Sequence, residues 1–209
     1  EATVPVDAYI SGNALSAGTL DNRGGAVVVA GSHDLGVVVG GDLDNRAGRI
    51  NAGGNVDVRT GGVANSQGEI SSGGALAVSA SGAISNHDGF VAGTKGLRIT
   101  ATELDNTTGT LAAVDAAAVL EVRGAVLNAG GKLMASGALD FSAGVLDNTT
   151  GTLSASSLRI GTGYLANRGG RMLATGSRDA GALRIDSALL DNREGLIQAR
   201  GPLVIDTHG

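Results

Sequence analysis

The chain has 209 residues but no cysteine and no tryptophan, and it contains only two tyrosines, two phenylalanines and two prolines. Without cysteine there is no disulfide framework, so stability has to come from burial and hydrogen bonds spread along the chain. With so few rings, a core wedged by aromatic side chains is excluded, and Val, Leu, Ile and Ala supply the apolar content. We therefore expect a thin interior in which side chains of similar size stack in rows.

Other shortages exclude classes of partner. The formal net charge is -5, and no run of Lys and Arg is long enough to follow a phosphate backbone, so we expect no nucleic-acid partner. The densest apolar stretch, residues 25–31, is far shorter than the roughly 20 residues of a spanning helix, so we expect no membrane insertion. The three histidines have no paired spacing. We predict no metal, no cofactor and no catalytic residue.

Glycine is abundant, with 36 residues, and it belongs to a phrase that recurs along the chain. The phrase is an apolar residue, any residue, Asn, two further residues and Gly. Its nine asparagines are Asn22, Asn45, Asn65, Asn86, Asn106, Asn128, Asn148, Asn167 and Asn192. Successive asparagines lie 19 to 25 residues apart, and a repeat of that length is typical of a solenoid.

Two further apolar positions accompany each phrase. An apolar-x-apolar pair, such as Val37/Val39 or Leu120/Val122, alternates with polar residues between turn-forming residues, which favours a short strand. A third apolar position follows the glycine of the phrase, and we assign it to Leu173 in the eighth repeat. Each repeat is therefore predicted to hold three short strands separated by turns.

These patterns favour one kind of solenoid. No repeat leaves room for a helix of ten residues, and the apolar pair lies too far from Asn for a leucine-rich repeat. We predict an all-β fold, a right-handed, single-stranded parallel β-helix with about nine coils of about 20 residues. Residues 1–209 are expected to form one repeat segment, a fragment of a much larger filamentous protein. Residues 1–19 are expected to end a preceding turn, with Ala8, Ile10 and Leu15 as its apolar positions.

Extra residues fall at one phase of the repeat. They occur in the first, fifth and eighth repeats, around residues 31–34, 114–117 and 176–179. Insertions at one phase project from one face of a solenoid, often the binding face. The candidate contact residues are Ser32, His33, Asp34, Asp115, Ser177, Arg178 and Asp179.

The asparagine column has two interpretations, both structural. Asn tolerates the left-handed conformation of a sharp corner, so the column can be repeated turn chemistry. Alternatively, each amide donates to the next one and forms a ladder, which we favour because Asp, Ser and Gly never replace Asn. Asp precedes Asn in five copies and Arg follows it in four. We interpret this row as outward-facing, partly neutralised charge and not as a catalytic cluster.

Two other stretches match known functional motifs, but neither match is good evidence for that function. Asn106–Thr110 and Asn148–Thr152 both read Asn-Thr-Thr-Gly-Thr and match a glycosylation acceptor, but such matches are common by chance. Ser32-His33-Asp34 has the letters of a hydrolase triad. A triad needs side chains that meet from separate segments, whereas neighbours on a chain point apart.

The fuller form of the phrase is Leu-Asp-Asn-x-x-Gly-x-Ile/Leu-x-Ala, found over residues 20–30, 43–52, 104–113, 146–155 and 190–199. It resembles the repeats of the filamentous haemagglutinin-like exoproteins. The resemblance implies a right-handed β-helical filament at the bacterial cell surface, exported with the help of an outer-membrane transporter partner. Members of that family serve as adhesins or as stalks that carry a toxin in contact-dependent inhibition.

The leading hypothesis is thus a non-enzymatic structural and adhesive segment that binds glycan or protein on host or neighbouring cells. One alternative is a β-helical enzyme that processes polysaccharides. That enzyme would need several charged side chains converging on one groove, with loops long enough to wall it. A second alternative is the receptor-binding portion of a toxin-delivery stalk.

Overall fold

The computed structural model describes residues 9–11, 13–177 and 180–208, and every regular element within them is a β-strand. The strands wind into a parallel β-solenoid of about nine turns, so the predicted β-helical fold class is confirmed. No helix in this part of the chain is long and apolar enough to cross a membrane.

Each complete turn contributes to two sheets. Sheet A has 17 strands and sheet B has nine. The first strands of the turns lie in sheet A and are β2 (Ala14–Ala17), β5 (Leu35–Val39), β8 (Val56–Thr60), β11 (Leu76–Ala80), β14 (Leu97–Ala101), β17 (Ala118–Val122) and β26 (Leu203–Asp206). Short second strands of sheet A follow after a corner, namely β3 (Leu20–Asp21), β6 (Leu43–Asp44), β9 (Val63–Ala64), β12 (Ala83–Ser85), β15 (Glu103–Asp105) and β18 (Ala125–Leu127).

In three turns the first and second strands join into one long strand of sheet A. These long strands are β20 (Ala138–Asp147), β22 (Ser157–Ala166) and β24 (Leu183–Asp191). The third strand of each turn lies in sheet B, and these strands are β4 (Ala26–Val29), β7 (Arg49–Ala52), β10 (Glu69–Ser72), β13 (Phe90–Gly93), β16 (Thr110–Ala113), β19 (Lys132–Ala135), β21 (Thr152–Ala155), β23 (Arg171–Ala174) and β25 (Leu196–Ala199).

The core is a set of apolar columns between the two sheets. Val58, Val78 and Ile99 are partners in successive strands of sheet A, and all three are buried. Ile50 and Ile70 are partners in sheet B and are fully buried. Because side chains alternate between the two faces of a strand, every second residue joins a column and the others face outward. Strand neighbours about 4.8 Å apart set the rise of the rod for each turn.

The register corrects two apolar pairs. Leu35 and Val37 pair with Val56 and Val58, so the first pair is Leu35/Val37 and not Val37/Val39. From Asn22 to Leu35 is 13 residues, against 11 from Asn45 to Val56, so this insertion has two extra residues.

The fifth and eighth repeats need similar corrections. Ala118 and Leu120 pair with Leu97 and Ile99, so the fifth pair is Ala118/Leu120 and its insertion is one residue. In both corrected strands three alternate residues face inward, and a period of two cannot tell which of them align with the next turn. In the eighth repeat the core position of sheet B is Met172 and not Leu173, since Met172 pairs with Leu153 and is fully buried.

The start of the described chain also differs from expectation. β1 (Tyr9–Ser11) runs antiparallel to β2, with Ile10 opposite Leu15, so these residues form a hairpin pairing. β2 itself joins the parallel stack, and Leu15 pairs with Val37. The expectation that residues 1–19 end a preceding turn is therefore wrong for β1, whereas β2 belongs to the parallel stack. Ala8 lies outside the described residues.

A tight turn links sheet A to sheet B in every repeat. The main-chain oxygen of each phrase asparagine accepts a hydrogen bond from the N–H of the glycine three residues later, as from Gly48 to Asn45 at 3.0 Å. The left-handed residue is the second one after Asn, with φ between 52° and 64° in all nine copies. It is Gly24, Ala47, Gln67, Asp88, Thr108, Gly130, Thr150, Gly169 and Glu194. Six of these positions carry a side chain that disfavours the conformation.

We predict that Thr150→Gly raises the free energy of unfolding. Thr150 is β-branched and has a φ of 55°, and its counterparts in the turns on either side are glycines. Relief of the left-handed strain outweighs the extra chain entropy of glycine, so a gain of about 0.5–1 kcal/mol is expected from urea unfolding.

The control is Gly130→Ala, which adds a side chain at the same left-handed position in the neighbouring turn. A Cβ on Gly130 has room, with Thr108 Cγ2 at 3.5 Å, so only the backbone conformation opposes it. A loss of about 1 kcal/mol is expected. Equal effects of the two substitutions, or effects of reversed sign, would contradict the assigned strain.

Candidate functional site

The asparagines stack into a continuous hydrogen-bonded ladder. Nδ2 of each one donates to Oδ1 of the asparagine in the next turn, over eight bonds of 2.6 to 2.8 Å. The first eight asparagines are fully buried, and Asn192 is half-buried. From Asn45 onward the same amide group also donates to the main-chain oxygen of the phrase glycine, as from Asn106 to Gly109 at 3.3 Å. Buried amides are satisfied by one another, with no need for water.

These hydrogen bonds distinguish the two interpretations of the column. None of the nine asparagines is in the left-handed conformation, which belongs to the second residue after each. The column is therefore a ladder, and the turn chemistry lies elsewhere in the phrase. At one end of the ladder, the buried Oδ1 of Asn22 has no hydrogen-bond donor among the described residues.

The phrase glycine is required by the close approach of two turns. A Cβ on Gly131 would overlap the main-chain oxygen of Asn106 in the turn before it and would crowd Oδ1 of Asn128. The glycines of the other turns that follow the first meet the same two kinds of atom. No side chain fits at that position while the ladder keeps its spacing.

The aspartates that precede Asn have a main-chain role that the sequence reasoning missed. Oδ1 of Asp105 accepts the N–H of Thr107 at 2.9 Å, and Asp147 does the same for Thr149 at 2.9 Å. Asp21 accepts the N–H of Arg23 at 3.1 Å. Asp is well suited to bonding a main-chain N–H two residues on, and this preference could have indicated the contact.

In the repeats where Asp precedes Asn and Arg follows it, the arginine neutralises that aspartate. Arg23 Nε donates to Asp21 Oδ1 at 2.9 Å, and this guanidinium lowers the pKa of Asp21 to about 2. Arg46 lowers the pKa of Asp44 in the same way, through a hydrogen bond of 2.9 Å. These paired carboxylates stay ionised and are not arranged as a general acid and base.

The last turns add a contact between coils. Asp191 accepts hydrogen bonds from Arg193 of its own turn at 3.0 Å and from Arg168 of the turn before at 2.7 Å. Both lower the pKa of its carboxyl group, Arg193 most strongly. Among the residues that the structure describes, no group of three or more His, Asp or Glu side chains could hold a metal ion.

Both glycosylation matches fall on ladder residues. Asn106 and Asn148 are fully buried, and each amide is bonded to the next turn, at 2.7 Å in both cases. A glycan on either nitrogen would require the ladder to open there. In the folded chain these sites are structural.

The three insertions lie at one corner of the rod, between sheet B and the next strand of sheet A. Ser32, His33 and Asp34 are all exposed there, and Asp34 Oδ1 accepts the N–H of Asn55 at 2.7 Å. Asp115 is exposed and donates its main-chain N–H to Thr94 at 2.8 Å.

The insertion in the eighth repeat gives the longest of the three loops, which has eight residues between β23 and β24. The main-chain oxygen of Ser177 accepts the N–H of Gly181 at 2.6 Å and that of Ala180 at 2.9 Å, which closes the loop on itself. Arg178 and Asp179 lie outside the described residues. Contact with another molecule at these loops stays a prediction.

This geometry defines a class of protein, a parallel β-solenoid rod with an internal asparagine ladder. The model of the haemagglutinin repeat family matches residues 16–88, 83–124, 114–177 and 180–209, which is nearly the whole chain. The chain belongs to the haemagglutinin repeat family, and the resemblance seen in the sequence is confirmed. Comparison with curated proteins and with solved structures gives no match.

We predict that Asn106→Ala destabilises the rod far more than Asn22→Ala. Removing Asn106 leaves Nδ2 of Asn86 without its side-chain acceptor and Oδ1 of Asn128 without its donor. Nδ2 of Asn86 keeps only its main-chain acceptors, and this lost bond, the unpaired oxygen of Asn128 and a small cavity together cost about 3–5 kcal/mol.

The end of the ladder is the matched control. Oδ1 of Asn22 has no donor to lose, so Asn22→Ala leaves only Oδ1 of Asn45 unpaired and should cost about half as much. Urea unfolding of both variants measures the difference. Equal losses would show that the side-chain ladder contributes little.

We predict that the row of aspartates preceding Asn makes a pH-dependent contribution to the stability of the fold. The pKa of Asp21 is about 2 in the folded chain against an ordinary 3.8, so its stabilisation is complete above about pH 4 and is lost as the pH falls to 2. Arg23→Gln should raise this pKa by about one unit. Carboxyl carbon NMR titration measures it.

Arg49→Gln serves as the control for this titration, since Arg49 lies on sheet B beside Glu69 at 3.7 Å. It should leave the titration of Asp21 unchanged. A pKa for Asp21 that does not respond to Arg23→Gln would remove the guanidinium as its cause.

Proposed function

We propose that this chain is a structural and adhesive shaft segment of a secreted bacterial surface filament that attaches to host or neighbouring cells. Membership of the haemagglutinin repeat family supports this, together with a repeated interior that carries only structural contacts. The observation that carries the proposal is the ladder, which joins nine asparagines in successive turns and leaves the outer surface free to vary. A rod of this kind separates its outermost part from the cell that bears it.

Export with an outer-membrane transporter partner belongs to the same proposal. The chain has no cysteine, so no disulfide forms before passage or has to form after it. Each turn contacts only its neighbours, so folding can proceed turn by turn as the chain emerges. The filament therefore gains its stability outside the cell from local stacking.

The adhesive contacts are assigned to the corner with the insertions. Residues 30–34 and 175–182 lengthen this corner at opposite ends of the described rod, and Ser32 and Ser177 are exposed. The receptor-binding portion of a toxin-delivery stalk would use the same corner, which is why that function remains the second candidate. We assign no catalytic role to the paired aspartates, because a guanidinium or a main-chain N–H already occupies them.

Cell binding by the purified, fluorescently labelled chain tests the proposal. We expect saturable binding to host epithelial cells or to neighbouring bacteria. In one variant, residues 30–34 are replaced by the Gly-Gly-Asn of the next corner, residues 53–55, which shortens the loop to the length used elsewhere. In a second variant, the same three residues replace residues 175–182. Binding should fall about tenfold when the engaged corner is shortened.

The control is a surface change away from this corner, Thr110→Ala with Thr152→Ala on the outer face of sheet B. Unchanged binding after both corners are shortened would remove them as the contact site. If the unaltered chain binds neither kind of cell, the adhesive function itself fails. Release of sugar from a polysaccharide by the purified chain would contradict the non-enzymatic assignment.

A further inference from the structure

A shallow groove of about 610 Å³ crosses the outer face of sheet A over strands β17, β20, β22 and β24. Its charged lining residues are Glu121, Asp140, Arg159 and Arg184, and Ser142 and Ser157 add hydroxyl groups. The volume lies in the range of small-ligand sites. The groove follows the axis of the rod, so successive turns supply its residues one after another.

The arginines at one end of this groove break the charge pattern of the face. Elsewhere on the same face each arginine has its own acid at hydrogen-bond distance, Arg59 with Asp57 at 2.7 Å and Arg98 with Glu121 at 2.9 Å. Those pairs leave little charge for a ligand to find.

Arg159 and Arg184 are direct partners in neighbouring strands, and one distant acid serves Arg159 alone. Strand spacing places their backbones about 4.8 Å apart. Arg159 Nε lies 3.8 Å from Asp140 Oδ1, and Arg184 has no acid partner among the described residues. Asp186, which could serve Arg184, is bonded to His208 at 2.6 Å. Like charges directly opposite one another are unfavourable, so an anion between the two guanidinium groups would stabilise both.

The other end of the groove has the opposite character. Asp140 presents a carboxylate that accepts hydrogen bonds from hydroxyl groups and repels anions, whereas Glu121 is already paired with Arg98 at 2.9 Å. A polyanion with charges along its whole length would meet this repulsion. A ligand with one carboxylate and several hydroxyl groups would not, because its acid group can lie at the arginines and its hydroxyl groups at Asp140 and the two serines.

We propose that this groove binds a saccharide that carries a carboxylate, a sialic or uronic acid. The carboxylate lies between the guanidinium groups of Arg159 and Arg184, and ring hydroxyl groups donate to Asp140. This inference names the ligand class of the proposed adhesive function and rests on that function for its biological meaning. The site lies on the outer face of sheet A and meets the loop of residues 175–182 at Ala182, whereas residues 30–34 lie at the other end of the described rod.

NMR titration of the isotope-labelled chain with N-acetylneuraminic acid and with glucuronic acid tests the proposal. Glucose is the neutral control and inorganic sulfate the simple-anion control. We expect a dissociation constant on the order of 1 mM for at least one acidic sugar. Shifted signals should cluster at strands β20, β22 and β24, and glucose should give none.

The variants Arg159→Gln and Arg184→Gln should each weaken binding about tenfold. Arg59→Gln removes a guanidinium from the same face, several turns away, and should leave binding unchanged. All three arginines are exposed at the surface, so the fold tolerates their replacement.

Four outcomes would overturn the inference. The first is that neither acidic sugar binds at about 10 mM, ten times the expected dissociation constant. The second and third are that glucose binds equally well, or that sulfate binds as tightly as the sugars. The fourth is that Arg59→Gln weakens binding as much as Arg184→Gln. Cell adhesion without sugar binding would refute this inference and leave the proposed function in place. Sugar binding by a chain that adheres to no cell would support the inference and refute the adhesive function.

Discussion

The hydrogen bond from one asparagine side chain to the next is the constraint on which the rest of this structure depends. Each amide is buried, so it must find its partner one turn away at 2.6 to 2.8 Å. That distance holds the turns in phase and leaves no room for a side chain at the phrase glycine. The insertions lie instead at the corner between sheet B and the next strand of sheet A, which the asparagine ladder does not pass through.

Much of the fold could be predicted from the sequence, because a buried amide that bonds to its counterpart requires the same residue in every turn. Asn22 and its counterparts therefore show the period, the fold class and the ladder. The role of the aspartates that precede Asn could also have been predicted, since Asp105 stands two residues before the N–H that it binds. It was missed because the charge of the Asp–Arg row suggested an ion pair alone.

Register and surface chemistry could not be predicted in the same way. Leu35, Val37 and Val39 all face inward, and only stacking on the next turn shows that the first two form the aligned pair. Arg159 and Arg184 each stand between the two apolar residues of a pair, so the repeat aligns them, but it does not show that Arg184 lies without an acid beside it among the described residues. A solenoid fixes its core through repetition, whereas its grooves arise from departures from the repeat.

The direction of the bonds between turns has a mechanical consequence. The ladder and the strand pairing both join one turn to the next, so these bonds lie along the axis of the rod. A pull on the chain ends along that axis loads the outermost turn first, and the turns inside it stay closed until it opens. Each turn that opens releases 19 to 25 residues, which extend by about 70 Å. A rod built this way lengthens in steps under load, one turn at a time.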